Sequence, residues 1–220
     1  MPLTYQKIWS ETHKAGVWKI EEDHQYFLDK LIFNEAESKL FTSLSEKRQI
    51  EWLASRLLIS QLSNNYHTSN IVKDSYGKPH LKDSHVNISI SHSYDHVAAI
   101  LSVQKVGIDI QKKVDKITRI AHKYLNRKEL HAIPDEVLTD VLLIQWGAKE
   151  ALYKAYGRKA LEYREDIRVV LTDELMQRLH VSDQYPISYE GYICKGALNE
   201  SYQMTSYMIA DFFLTYGIER

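Results

Sequence analysis

The chain has 220 residues, 44% hydrophobic and 26% charged, a composition that fits a packed globular protein and excludes a disordered one. Its 28 lysines and arginines against 29 aspartates and glutamates leave a net charge of −1. With no general basic field to attract nucleic acid or a membrane surface, any anion site has to be local.

At the start of the chain, MPLTYQKIWSETHKAGVWKI lacks a basic segment followed by an apolar run and is not expected to be a signal peptide. The first twenty residues suggest a strand ending near Trp18 to Ile20, with a short helix following around Tyr26 to Phe33. The run SLSEKRQIEWLASRLLISQLSNNY spaces Ile50, Leu53, Leu57 and Leu58 along one helical face, with Ser43 or Ser45 as N-cap. In IVKDSYGKPHL, Gly77 and Pro79 punctuate a strand, a turn over Ser75 to Pro79 and a second short strand. Three further β segments follow in VNISIS, HVAAILS and VGIDIQ.

A basic helical stretch is expected from Asp115 to Leu130, and a long helix from Asp135 to Tyr156 that Gly147 interrupts only weakly. The last third reads as strands in DIRVVL, PISYEGYIC and SYQMTSYMIADFFLTYGI, the last pair joined through Lys195 to Glu200. Cys194, the single cysteine, fits a small strand residue; it excludes an internal disulfide and suits a reducing compartment. No stretch approaches the ~20 apolar residues of a bilayer span, and a cytoplasmic protein is expected. Helix followed by strands in each half predicts an α+β fold of two related lobes, residues 1–104 and 105–220, meeting near Val103 to Val106.

Three constellations carry chemistry. Strand alternation in VGIDIQ sends Val106, Ile108 and Ile110 to one face and Gly107, Asp109 and Gln111 to the other. A carboxylate on a rigid strand, beside a residue without a side chain, suits Mg²⁺, which takes one or two protein carboxylates with phosphate and water oxygens. The same pattern also describes the polar edge of a half-buried strand. In WGAKEALYKAYG, Glu150 and Lys154 share a helix face and form either an exposed pair contributing ~0.2–0.5 kcal/mol or a metal and phosphate contact. Trp146, one turn earlier, roots that face, and Lys149 and Lys154 flank the carboxylate. In NISISHS, Ser91, His92 and Ser93 at a strand end offer hydroxyls and an imidazole to a phosphate. Neighbours on an extended strand point to opposite faces, so a Ser91 nucleophile activated by His92 is not expected. His24, His122 and His131 lack ligand-like spacing, and zinc is not predicted.

Taken in order, YGKP (76–79), NISISHS (87–93), VGIDIQ (106–111) and WGAKEALYK (146–154) resemble the Sfp-type 4'-phosphopantetheinyl transferases. The helix KRQIEWLASRLL is similar to that family's arginine-bearing N-terminal helix. The resemblance implies two α/β lobes related by a pseudo-twofold axis, with the active site between them, in a monomer. It implies transfer of the phosphopantetheine arm of coenzyme A to a serine of an acyl or peptidyl carrier protein, with release of adenosine 3',5'-bisphosphate.

By motif position it implies Asp109 and Glu150 as Mg²⁺ ligands, with Gln111 standing where many members have a third acid and offering an amide oxygen instead. Lys154 matches the lysine near the pyrophosphate, and Lys149 beside Glu150 is assigned to the coenzyme as well. Lys78 and His92 match coenzyme A phosphate contacts, Ser91 lines the same pocket, and Arg48 and Arg56 are assigned to the terminal phosphate. Glu150 is the implied general base, with Asp109 and Lys154 completing the catalytic set. The segment DKITRIAHKYLNRKEL sets Lys116, Arg119, Lys123, Arg127 and Lys128 around Ile117, Ile120 and Leu125, which suits docking of an acidic carrier protein. A Mg²⁺-dependent nuclease and a noncatalytic carrier- or nucleotide-binding module are the competing classes. The neutral charge balance argues against the nuclease.

Overall fold

Two antiparallel sheets, each with a long helix packed on it, organise the residues that the computed structural model describes, 3–10, 13–63, 71–181 and 185–220. The chain is mixed α+β, in two compact units, Met1–Val103 and Gln104–Arg220.

In the first unit, β1 (Leu3–Ser10), β2 (His13–Lys19), β3 (Ile71–Lys73), β4 (Pro79–Leu81), β5 (Asn87–Ser93) and β6 (His96–Ser102) make one sheet in the order β1-β2-β6-β5-β4-β3. Helices α1 (His24–Leu28), α2 (Glu35–Ser43) and α3 (Glu46–Ser63) come between β2 and β3 in the chain. Two strands precede the helices, the second of them ending at Lys19, where a strand ending near Trp18 to Ile20 is expected. Helix α3 begins directly after Ser45, whose carbonyl accepts the Gln49 N–H at 2.8 Å. Its Leu53, Leu57, Leu58 and Leu62 pack with Trp18, Ile88, Val97 and Leu101, each no more than 6% exposed. Each such leucine contributes about 1.5–3 kcal/mol by leaving water, so the apolar face holds the helix on its sheet. The NNY end of the expected helical run lies outside the described residues.

In the second unit, β7 (Val106–Lys112), β8 (Ile167–Val170), β9 (Ile187–Lys195), β10 (Leu198–Ile209) and β11 (Phe212–Glu219) form a sheet in the order β7-β11-β10-β9-β8. Its helices are α4 (Ile117–Tyr124), α5 (Arg127–His131), α6 (Leu138–Tyr156) and α7 (Asp173–Val181). The basic helix expected over Asp115 to Leu130 is two helices. Asn126 Oδ1 accepts the Glu129 N–H at 3.0 Å and Glu129 Oε2 accepts the Asn126 N–H at 2.8 Å, a capping box that starts α5 afresh. The long helix expected from Asp135 opens with a 3-10 turn over Asp135–Val137 and becomes α-helical at Leu138. It ends at Gly157, whose φ of +68° gives the left-handed cap that favours glycine. The segment SYQMTSYMIADFFLTYGI folds back between β10 and β11 at Ala210 and Asp211, pairing Ile209 with Phe212.

Helix α6 lies against β7 and β11. Its buried side carries small residues: Gly147, Ala148, Ala151 and Ala155 are all buried, and Leu152 fills the space beyond them. Small residues there bring helix and sheet close together, and that closeness positions the site.

Candidate active site

Strand β7 and helix α6 meet backbone to backbone at Gly107. A Cβ built on Gly107 would stand 1.7 Å from the Ala151 carbonyl oxygen and 2.8 Å from the Ala155 nitrogen, so no other residue fits without moving the helix. Asp109 follows two residues along the same strand face and is 6% exposed. It is therefore an interior carboxylate; the reading of VGIDIQ as a solvated polar edge does not hold. Its Oδ1 accepts from the Lys154 ammonium at 2.7 Å, and the same ammonium donates to the Ile108 carbonyl at 3.1 Å.

Glu150 lies one turn before Lys154, and its Oε1 accepts the Tyr163 hydroxyl at 2.8 Å. Burial first, and the Asp109 charge second, raise the Glu150 carboxyl above the ordinary carboxylate range, while Lys154 and the Tyr163 hydroxyl pull the other way. The reading of Glu150 and Lys154 as a solvent-exposed helix pair thus fails as well: Lys154 turns to the strand and Glu150 to a phenol.

Tyr163 follows α6 in the loop Arg158–Asp166, and no motif in the sequence singles it out. Its ring stacks between Trp146 and Tyr153, centroids 5.8 Å and 5.3 Å away and both at an interplanar angle of 11°. Burial, and then the neighbouring Glu150 charge, push its phenol up, so it remains a hydrogen-bond donor. Aromatic pairs of this kind contribute about 0.5–1.5 kcal/mol beyond their burial. The only sequence cue to this stack is the seven-residue spacing of Trp146 and Tyr153, which puts both rings on one side of α6.

Lys149 does not join Asp109 and Glu150. Successive helix residues point about 100° apart, and the Lys149 side chain, 0% exposed, runs inward to Glu129 Oε1 at 3.0 Å and the Tyr163 carbonyl at 2.9 Å. Burial draws its ammonium below the ordinary lysine value, opposed by the Glu129 charge. The expectation that Lys149 meets the coenzyme is corrected on this point, because its donors are spent inside the unit. Gln111, on the same strand face as Asp109, donates its Nε2 to the Leu143 carbonyl at 2.6 Å, which leaves its Oε1 as the amide oxygen that can face a ligand. Among the described residues no group of three or more His, Cys, Asp or Glu side chains could hold a metal ion.

In the first unit, Arg48 and His92 come together: the Arg48 Nη1 donates to His92 Nε2 at 2.6 Å and to Glu51 Oε2 at 3.1 Å. With Ser45, Lys47, Ser93 and Tyr94 they line a cleft of about 320 Å³. Ser91, next along β5, is 5% exposed and points away from His92, as strand alternation requires. Lys78 sits in the turn before β4, its backbone N–H bound to Asp74 Oδ1 at 3.0 Å; neither Ser91 nor Lys78 lines the cleft. Arg56 is interior, 5% exposed, with its guanidinium 3.3 Å from the Trp52 ring centroid and its Nε 3.5 Å from Glu37. Enclosed in this way, Arg56 is a core cation and not a phosphate contact. The basic surface of α4 and α5 keeps Lys116, Arg119, Lys123, Arg127 and Lys128 exposed, but Ile117 and Leu125 belong to the core, which leaves Ile120 as its apolar part.

Comparison with known proteins places the second unit. The 4'-phosphopantetheinyl transferase superfamily matches residues 105–206, the range that holds Asp109, Glu150, Lys154 and Tyr163. The chain is 29% identical over 99 residues to the holo-[acyl-carrier-protein] synthase of Geobacillus sp. (strain WCH70), covering 38% of this chain and 82% of that protein. It is 31% identical over 87 residues to the holo-[acyl-carrier-protein] synthase of Bacillus pumilus (strain SAFR-032), covering 32% of this chain and 72% of that one. With the matched range coinciding with the strand and helix that bring the two carboxylates and the lysine together, the chain belongs to the 4'-phosphopantetheinyl transferase superfamily.

Proposed function

We propose that the chain transfers the 4'-phosphopantetheine group of coenzyme A to a serine of an acyl or peptidyl carrier protein, with Mg²⁺ as cofactor. The observation that carries this reading is the convergence of Asp109 from β7 with Glu150 and Lys154 from α6, in the range that the 4'-phosphopantetheinyl transferase superfamily matches. The serine oxygen bonds to the phosphorus that bears the pantetheine arm, and the pyrophosphate bridge breaks, releasing adenosine 3',5'-bisphosphate. Glu150, held at Oε1 by the Tyr163 hydroxyl, is assigned to accept the serine proton. Lys154, beside Asp109, offers its ammonium to the charge that builds on the departing phosphate.

The donor set fits Mg²⁺. Asp109 and Glu150 are hard oxygen ligands close enough for the first to raise the second, and Gln111 Oε1 is a neutral third. When bound, the ion withdraws charge from the pyrophosphate. Coenzyme A phosphate contacts are assigned to Arg48, Lys78 and His92, with Ser91 next to His92 in the chain. The exposed basic residues of α4 and α5 are assigned to the acidic carrier. A monomeric chain acting in the cytoplasm goes with this reading.

Intact mass measurement of an apo carrier protein after incubation with the full chain, coenzyme A and Mg²⁺ tests the proposal. A gain of one phosphopantetheine group, reduced about 10²- to 10⁴-fold in rate by Glu150→Gln as expected for loss of a general base, supports it. Absence of any gain on fatty-acid, polyketide and peptide-synthetase carriers refutes it.

A further inference from the structure

Tyr163 is held at both ends by neighbouring residues of α6. Its carbonyl accepts from Lys149 Nζ at 2.9 Å and its hydroxyl donates to Glu150 Oε1 at 2.8 Å. Between these ends, the ring is fixed by Trp146 on one side and Tyr153 on the other. Lys149 is itself anchored by Glu129, whose carboxylate closes the cap of α5. A buried phenol needs some acceptor; here that acceptor is one oxygen of the carboxylate assigned to the chemistry.

From this geometry we infer that Tyr163 is a positioning residue for Glu150, fixing the carboxylate's rotamer by occupying Oε1 so that Oε2 faces metal and substrate. The inference rests on the reading of Glu150 given above. It has a physical reason. Glutamate has three side-chain torsions, and freezing them costs conformational entropy. A glutamate left mobile has to meet that cost in each turnover, whereas a hydrogen bond to a rigid donor meets it once, on folding. Lys149 and Glu129 act one step further back, holding the tyrosine and not the carboxylate.

Tyr163→Phe removes the oxygen and keeps the ring between its neighbours, so it separates the bond from the stack. Steady-state kinetics on an apo carrier protein should show kcat lowered roughly 10- to 100-fold, the usual effect of losing a partner that orients a ligand, with KM for coenzyme A and carrier within about twofold. Binding of Mn²⁺ alone to the full-length chain, followed by electron paramagnetic resonance without coenzyme or carrier, should weaken by a similar factor. Tyr163→Leu, which also removes the stack, should lower the melting temperature as well, whereas Tyr163→Phe should leave it nearly unchanged. Wild-type kcat and Mn²⁺ affinity in Tyr163→Phe would overturn the inference while leaving the assignment of Glu150 intact. Full activity in Glu150→Gln would overturn that assignment, and with it the inference.

Discussion

The Lys154 ammonium stands 2.7 Å from Asp109 Oδ1 and ties the end of α6 to the middle of β7. The two side chains are 27% and 9% exposed, so the pair is neither on the surface, where ion pairs contribute little, nor sealed from ligands. One lysine thereby acts on two acids, since its charge also pulls Glu150 down against burial and the Asp109 charge. Replacing Lys154 by methionine is expected to lower kcat about 10²- to 10³-fold, the usual loss when one charge-stabilising donor is removed. Lys154→Arg should recover part of it. Steady-state assays at saturating coenzyme A check this, and a methionine variant with undiminished kcat would remove Lys154 from the reaction.

The buried pair of Lys149 and Glu129 makes a prediction about stability. Removing one member of such a pair strands the other charge at a cost of about 3–5 kcal/mol, while replacing both with apolar residues is often neutral. Lys149→Met should fall near the low end of that range, because Glu129 keeps 17% of its side chain exposed. Adding Glu129→Leu should restore part of the loss. Urea unfolding of the single and double variants measures the coupling, and strictly additive effects would show that the two groups do not act as a pair.

Carrier docking is testable apart from chemistry. Arg119 and Lys123 are exposed on α4, on the side away from its buried Ile117, Ala121 and Tyr124. Reversing both to glutamate should raise KM for the carrier about tenfold, equivalent to about 1.4 kcal/mol, without changing KM for coenzyme A. Low salt should enlarge the effect. Equal changes in both constants would place these residues elsewhere in the function.

Asp166 closes the loop that carries Tyr163. Its Oδ2 accepts the Glu162 N–H at 2.8 Å and the Lys195 ammonium at 2.9 Å. The Glu162 amide, and then Lys195, hold its carboxyl below the ordinary aspartate value of 3.8, with partial burial opposing them. A pKa depressed on folding gives stability that is present above the unfolded value and lost as the pH falls through the folded one. Asp166→Asn should therefore be less stable than the parent chain at pH 7, by a margin that narrows as the pH drops below 3.8. Chemical unfolding across that range checks it; a margin independent of pH would assign the loss to something other than the carboxylate.

Long apolar periods make α3 and α6 legible from the residues alone. Short helices are less visible. Helix α2 exposes most of its residues and buries Glu37, yet its capping box, Asn34 with Glu37, stands in the sequence. Helix α7 buries Leu175, Met176 and Leu179 within nine residues, too short a run for a clear period. At the site, the motifs single out Asp109, Glu150 and Lys154, and the fold sets the first beside the last. Spacing does not tell where a side chain turns once packed. Lys149 and Glu150 are adjacent in the chain, and only the fold sends one inward to Glu129 and the other to Tyr163. Arg56 shows the same limit: a helical arginine assigned to an anion is stacked on Trp52 in the core. Tyr163 escapes a sequence reading because its partners come from helix turns that already have a metal and phosphate reading of their own.

Where Gly107 meets Ala151, main chain touches main chain with no side chain as a spacer. Drift in the surrounding core, leucine for methionine or valine for isoleucine, can then reshape packing without resetting the distance between strand and helix. Lineages that share little elsewhere would be free to diverge around this contact while keeping the spacing of Asp109 and Glu150, and position 107 is where such freedom ends.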